Sequence, residues 1–345
     1  MKSINVARFG PSVFAAAAVL AGCGGSQPPT GTPGVMPQSR AITAHSERGA
    51  SWMLPEVKKQ NLLYIADPAA GGVIVYTYEP PRYKFVGLLA DAPAPLGECV
   101  DKAQHIFVNN SGGPNGSTVT FVYEHGRVDP IRILGDPGGV PISCSVDPAT
   151  GNLAVSSSTS SATEPNELAV YAHAKGRPAL IAAPDFSYIA FCAYDERGDL
   201  FADGLNARRH HFILEELPAE SGTFVSIKVS KAISPAGGIQ WDGQYLVVGD
   251  PYSDALYRFK IKGHIAKEID SIPLNGATTV DQFFITGNRI IDPSGSVGER
   301  SGWVDFYPYP AGGDPGRNLP NFSTPYAVVI SRAQNEGPEH EGLGF

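Results

Sequence analysis

A short apolar strand ending in Asp, a tight polar turn and a second apolar strand recur four times along the chain. Gly97-Glu98-Cys99-Val100-Asp101 leads into Ile106-Phe107-Val108, and Ser143-Cys144-Ser145-Val146-Asp147 leads into Leu153-Ala154-Val155. Phe191-Cys192-Ala193-Tyr194-Asp195 leads into Leu200-Phe201-Ala202, and Gly238-Ile239-Gln240-Trp241-Asp242 into Tyr245-Leu246-Val247-Val248. The four turn aspartates are 46, 48 and 47 residues apart. A fixed period of that length marks a unit that cannot bury its apolar face alone and is stacked on copies of itself, as in a propeller or a solenoid.

The strand pattern extends the count. Leu62–Ala66, Val73–Tyr78 and Lys84–Leu89 are separated by Asp-Pro-Ala-Ala-Gly-Gly and Glu-Pro-Pro-Arg, both turn compositions. After Gly97–Asp101 come Ile106–Asn109, Thr118–Tyr123 and Pro130–Leu134, and this set of four repeats. The fifth position of the second strand runs through Asp67, Asn110, Ser157, Gly204, Asp250 and Asp292, at spacings of 43, 47, 47, 46 and 42. Six positions predict an all-β, six-bladed β-propeller over residues 52–332. The first blade lacks an innermost strand before Leu62, while Pro325–Ser331 has no blade after it. Pairing them closes the ring with one C-terminal and three N-terminal strands and removes two exposed sheet edges. Thirty-nine glycines, 30 prolines and 17% charged residues suit short strands and tight turns. No segment has apolar residues at helical spacing long enough to predict a helix beyond the N-terminal segment.

That N-terminal segment carries an address. Lys2 and Arg8 precede an apolar run from Ser12 to Ala21, and Leu20-Ala21-Gly22-Cys23 closes it. Residues 1–22 have the three-part build of a secretory signal and are too short to remain as a spanning helix. The Leu-Ala-Gly-Cys ending resembles the bacterial lipobox. The resemblance implies lipidation of Cys23, attachment to the membrane and a place in the cell envelope, with Gly24 leaning towards the outer membrane or cell surface. Residues 23–51 are rich in Gly, Ser, Thr and Pro and read as a flexible tether. Residues 333–345, with Glu336, Glu339 and Glu341, read as a loose tail.

Charge and cysteines narrow the partners. The chain has 26 Lys and Arg against 34 Asp and Glu, a net −8, and loss of Lys2 and Arg8 with the signal makes it −10. No run of Lys or Arg is longer than two residues, as at Arg208-Arg209, so nucleic acid is excluded as a partner class. Cys99, Cys144 and Cys192 all lie on innermost strands, in blades two, three and four. Cys99 is two residues before its turn Asp and the other two are three before theirs, so Cys99 faces the opposite way. Cys144 and Cys192 then point the same way round the ring and do not meet. If Cys99 faces forward it bridges Cys144. Otherwise the three thiols fill blade interfaces as small apolar groups.

Candidate site residues collect where the ends of the second strands meet the mouth of the ring. Asp67, Asn109, Asn110, Asp203, Asp250 and Asp292 are placed in the loops after second strands, and Glu98 at an innermost-strand entrance. Oxygen donors of this kind suit Ca²⁺. Asp and Asn at strand ends also bond their own backbone in Asx-turns, the competing structural reading. Arg208 and Arg209 offer forked donors to an anion, with exposed loop charge as the alternative. His210 and His211, being adjacent, face opposite sides if they open a strand. Phe186, Tyr188, Trp241, Tyr245, Tyr252 and Phe283 are candidates for stacking on a peptide or a glycan, or for blade packing. The sequence lacks a Gly-x-Ser-x-Gly elbow, a phosphate loop and Cys-x-x-Cys.

The pattern Gly-x-x-Val-Asp, turn, apolar strand and two further strands resembles the NHL-type repeat of six-bladed propellers. Lactonases of the gluconolactonase type are the enzymatic relatives that this resemblance suggests, and it implies a divalent cation held on the axis by a Glu, an Asn and an Asp at innermost-strand entrances. Here those entrances read Gly97-Glu98, Ile142-Ser143, Ile189-Ala190, Gly237-Gly238, Thr278-Thr279 and Pro325-Tyr326, so Glu98 is the sole carboxylate. Turns such as Gly-Glu-Cys-Val-Asp, Gly-Gly-x-Gln-Trp-Asp-Gly and Pro-Ala-Gly-Gly are similar to those of predicted bacterial propeller lipoproteins. The expectation is a monomeric, envelope-anchored binding or scaffold module for a protein, peptide or glycan, with a metal-dependent lactonase, hydrolase or lyase as the alternative.

Overall fold

The computed structural model describes residues 50–112, 117–135, 139–158, 166–219, 221–296 and 301–333. Cys23, the signal segment, the tether up to residue 49 and the tail from residue 334 lie outside the described residues.

The described chain is a ring of six antiparallel sheets. Blade two is Pro95–Val100, Ile106–Asn110, Val119–Tyr123 and Arg132–Gly135 from axis to rim. Blade three is Val140–Val146, Leu153–Ser158, Glu167–Tyr171 and Ala179–Ala182. Blade four is Phe186–Tyr194, Leu200–Asn206, Phe212–Leu217 and Val225–Val229. Blade five is Ile239–Trp241, Leu246–Asp250, Ala255–Lys262 and Ile265–Pro273. Blade six is Phe284–Thr286, Arg289–Ser296, Ser301–Pro308 and Arg317–Phe322. Among the described residues the other regular segments are short 3-10 turns at Pro55–Lys59 and Ala172–Ala174.

Blade one closes the ring as the chain ends predict. Ala327–Ser331 lies innermost against Leu62–Asp67, with Leu62 opposite Ser331 and Ala66 opposite Ala327. Gly72–Thr77 and Phe85–Leu89 follow outward. One strand exceeds the expectation: Trp52–Met53 pairs with Leu88 and Gly87 as a two-residue fifth strand at the rim. Ser51 is also docked, its hydroxyl donating to Asp91 Oδ2 and accepting from the Ala90 amide, both at 2.9 Å.

Packing between neighbouring blades holds the ring together. The strands are apolar on both faces because each sheet is covered on both sides by neighbouring blades. Each blade interface carries one buried cluster. Phe107, Val122 and Leu134 of blade two meet Leu153, Val155 and Tyr171 of blade three. Leu63, Ile65 and Ile74 of blade one meet Ile291, Val304 and Phe306 of blade six. Each such side chain contributes about 1.5–3 kcal/mol on burial, so the interfaces outweigh any single sheet's hydrogen bonds. Blades four and five are joined further, because their rim strands pair in parallel through Lys228 with Ile265 and Val229 with Ala266.

The repeating aspartates build the inner turns. Asp101 Oδ1 accepts the His105 amide at 2.8 Å, and Asp147 Oδ1 accepts the Ala149 amide at 2.8 Å. Asp195 Oδ1 accepts the amides of Arg197 and Asp199 at 2.8 and 3.0 Å, and Asp242 Oδ1 those of Gln244 and Tyr245 at 2.8 and 2.7 Å. A short side chain with two acceptors at this point satisfies the turn's free amides, which is why Asp recurs there.

Candidate functional site

Innermost strands of all six blades enclose a channel of about 160 Å³ lined by residues such as Glu98, Ser143, Phe191, Gly238, Gln282 and Val328. Its burial varies along the axis. Glu98, Ser143, Phe191, Gly238 and Gln282 are buried, whereas Val100, Val146, Tyr194 and Trp241, towards the Asp turns, are half-buried. Leu96, Tyr188, Ala236, Asp281 and Tyr326, towards the strand entrances, are half-buried too. The enclosed cavity runs from the level of Glu98 and Gln282, its waist, towards the Asp turns, and the half-buried residues at the strand entrances lie beyond it.

Gln282 makes the waist. Its Oε1 accepts the Glu98 amide at 3.1 Å and its Nε2 donates to the Ile142 carbonyl at 2.9 Å, so one side chain of blade six ties together blades two and three. Glycine permits this approach. A Cβ on Gly97 would lie 2.2 Å from the Ile142 carbonyl oxygen, and one on Gly238 would lie 1.7 Å from that of Asp281. Amide and hydroxyl side chains suture other inner strands. Gln240 exchanges hydrogen bonds of 3.1 and 2.7 Å with the backbone of Ile285, and Ser145 Oγ accepts the Tyr194 amide at 2.9 Å.

Beside the waist, Glu98 is buried and neither carboxylate oxygen has a hydrogen-bond partner. Burial holds its carboxyl well above the usual range. Asp203 and Asp292 are equally enclosed, and each leaves one oxygen without a partner. Burial is the largest cause raising both.

Asp203 and Asp292 are not in loops, contrary to the expectation. They lie within strands, opposite Leu214 and Asp305, because the second strands of blades four and six run to seven and eight residues. Asn109 and Asn110 are the last two residues of their strand, and Asp67 and Asp250 are the final residues of theirs, so none of these is in a loop either.

The set does not converge. Asp67 accepts the amides of Ser323 and Thr324 at 2.7 and 3.0 Å and so holds the approach to the closing strand. Asn110 Oδ1 accepts the Ala94 amide at 2.8 Å, and Asn109 Oδ1 the Thr120 hydroxyl at 2.8 Å. Asp203 accepts the Phe191 amide at 3.1 Å, pinning a bulge in its innermost strand. Asp250 accepts the Tyr252 amide at 3.1 Å, and Asp292 the Ser294 hydroxyl at 3.0 Å. Each holds nearby backbone or a nearby hydroxyl. Among the described residues no three His, Cys, Asp or Glu side chains are grouped to hold a metal ion, so this donor set does not fit a shared Ca²⁺.

Arg208 and Arg209 are exposed and make no ion pair among the described residues, while their amides donate to Asn206 Oδ1 at 2.9 and 3.1 Å. Cys99 and Cys144 form a disulfide across the interface of blades two and three, with Cα atoms 5.7 Å apart. Cys192 is free and faces the next interface, where burial pushes its thiol up to about 12. Tyr252 is 86% exposed at the strand-entry face, whereas Phe186 and Phe283 are packing residues. Trp241 lines the channel and stacks on Phe201 with centroids 6.3 Å apart.

Two residues carry more of the site than sequence reasoning assigned them. Gln282 and Asp281 sit where blade six departs from the repeat, since its entrance aligns at Thr278-Thr279 by spacing while its innermost strand starts only at Phe284. The Gln282 pairing with Ala327 is the bridge that seats them on the ring.

No protein-family model matches the chain. No curated protein sequence is significantly similar to it. Solved structures do share its shape. A chain of the nidogen/laminin complex aligns with a TM-score of 0.63 at 12% identity, over 80% of this chain and 100% of that one. A functionally unknown protein from Desulfotomaculum acetoxidans DSM 771 aligns with a TM-score of 0.52 at 8% identity, over 83% and 89%. At these identities the likeness defines the class, a β-propeller, and no activity.

Proposed function

We propose that the chain is a non-enzymatic binding or scaffold module of the bacterial cell envelope. In this reading a lipid on Cys23 holds it to the outer membrane or cell surface, and an NHL-like propeller presents its strand-entry face to a protein, peptide or glycan. The observation that carries it is the allocation of polar groups at that face. Asp67, Asn110, Asp203 and Asp250 each hold nearby backbone, and Gln282 ties the axis shut, so among the described residues no nucleophile, base and oxyanion donor are left facing one another. A rigid ring with loops on one face is a scaffold for recognition.

The test uses the mature full-length chain on peptide and glycan arrays, in parallel with a lactone hydrolysis assay in Ca²⁺. A selective array hit without turnover is the expected result. The orphaned carboxylate of Glu98 favours the alternative, a metal-dependent lactonase, hydrolase or lyase. That reading requires a saturable Ca²⁺ stabilisation, about 2.7 kcal/mol at one hundred times Kd, and turnover that Glu98→Gln abolishes.

A further inference from the structure

The strand-entry mouth is ringed by one residue from each blade: Leu96, Ile142, Tyr188, Ala236, Asp281 and Tyr326. Four of them form an apolar collar, since Leu96, Tyr188 and Ala236 pack against the buried group of Ile142, Ala190 and Phe191. The other two are neighbours, because the bridge from Gln282 to Ala327 sets Asp281 beside Tyr326. Asp281 acts electrostatically on both tyrosines, and Tyr188 acts on Tyr326, so the three groups lie within electrostatic reach of one another at this mouth.

Asp281 is the exception in this ring. Its carboxylate has no hydrogen-bond donor and no cation among the described residues, and burial alone raises it, to about 6. Asp203, which acts on Tyr188, and Asp292, which Asp281 acts on, add negative potential and no counter-charge. Asp281 is half-buried, whereas Glu98 is fully enclosed. A half-buried carboxylate without a donor, set beside Tyr326, within electrostatic reach of Tyr188 and next to the collar of Leu96, Ile142 and Ala236, is the chemistry that takes an organic cation. The rings attract the positive charge through their faces, the carboxylate neutralises it, and the aliphatic collar covers an alkyl chain. A divalent ion is poorly served, since it needs six or more oxygens and finds one carboxylate.

We infer that the strand-entry mouth is a binding site for an alkylammonium group, either a free amine or the lysine side chain of a partner peptide, held by Asp281 between Tyr188 and Tyr326. This rests on the reading of the chain as a binding module and names the ligand class that module recognises.

Isothermal titration of the full-length chain with butylammonium and with 1-butanol is the primary test, because it compares ligands on one folded protein. Saturable binding of the amine and none of the alcohol is expected. Asp281→Asn weakens the amine at least tenfold, and Tyr326→Leu weakens it several-fold with Asp281 intact. A capped lysine peptide against the same peptide with acetylated lysine identifies the source: a lysyl ligand binds more tightly than butylammonium, a free-amine ligand less tightly than it. No saturable amine binding, equal binding of amine and alcohol, or an Asp281→Asn variant that binds as well as wild type overturns the inference. An array hit that Asp281→Asn retains leaves the binding module standing and removes this site alone. Amine binding without any array hit removes the macromolecular partner and keeps the site.

Discussion

The two ends of the channel use acidic side chains in opposite ways. At the turn end, Asp195 is fully enclosed and accepts two amides as well as the Arg197 guanidinium. Asp242 accepts two amides and the hydroxyl of Tyr309 from blade six. At the strand-entry end, Glu98, Asp203 and Asp292 keep oxygens with no partner, and Asp281 has no donor at all among the described residues. A buried carboxylate with a complete set of donors stabilises the fold, while one without them costs free energy that only a proton or a ligand recovers. The turn end is built to hold the ring, and the entry end holds unspent interactions.

Four measurements break or sharpen this contrast. The largest effect is expected at the disulfide that lies between the ends. Cys99 and Cys144 are 45 residues apart, so replacing both with Ala lowers unfolding free energy by about 4 kcal/mol in denaturant titration, from loop-closure entropy. Asp195→Ala follows, at about 2–3 kcal/mol, because it removes the acceptor of two part-buried turn amides, while the exposed Arg197 guanidinium keeps water and Asp199. An effect below about 1 kcal/mol would erase the distinction between the ends. Gln282→Ala costs about 2 kcal/mol and speeds amide exchange at Glu98, whose donor loses its acceptor.

The smallest effect concerns pH and has the opposite sign at the entry end. Asp281 titrates near 6 in the fold against an ordinary value of 3.8, so the folded state holds its proton longer than the unfolded one. Stability from this group is therefore full below about pH 4 and is lost as pH rises to about 6. The loss is about 1.5 kcal/mol after discounting for the side chain's partial exposure. Asp281→Asn flattens that slope in thermal melts across pH 4–7.

The ring itself was legible in the sequence because its determinants are local and repeated. The Asp turns recur at a near-constant period, and the unmatched first and last strands identify their own partner. Parity on the innermost strands set Cys99 opposite in facing to Cys144 and Cys192, although not which way it faced. What escaped was set by tertiary contact. Trp52–Met53 is too short to carry a period, and the parallel link from Lys228 to Ile265 depends on how far two rim strands extend. The role of Gln282 was invisible because its partners, Glu98 and Ile142, lie 184 and 140 residues away. Asp203 and Asp292 looked like loop ligands because Asp commonly ends strands, and Asp-Pro in particular opens turns. Pro293 is tolerated mid-strand opposite Val304.

The rim strand Trp52–Met53 bears on how the domain withstands mechanical load. A pull transmitted from the chain before Ala50 reaches Ser51 and this short pair first, where a few hydrogen bonds open one after another. The strand that locks the circle, Ala327–Ser331, sits at the far side of the same sheet and pairs with Leu62–Asp67 over five residue pairs. The rim pair therefore opens before the load passes along the chain through Pro55–Lys59 to Leu62–Asp67.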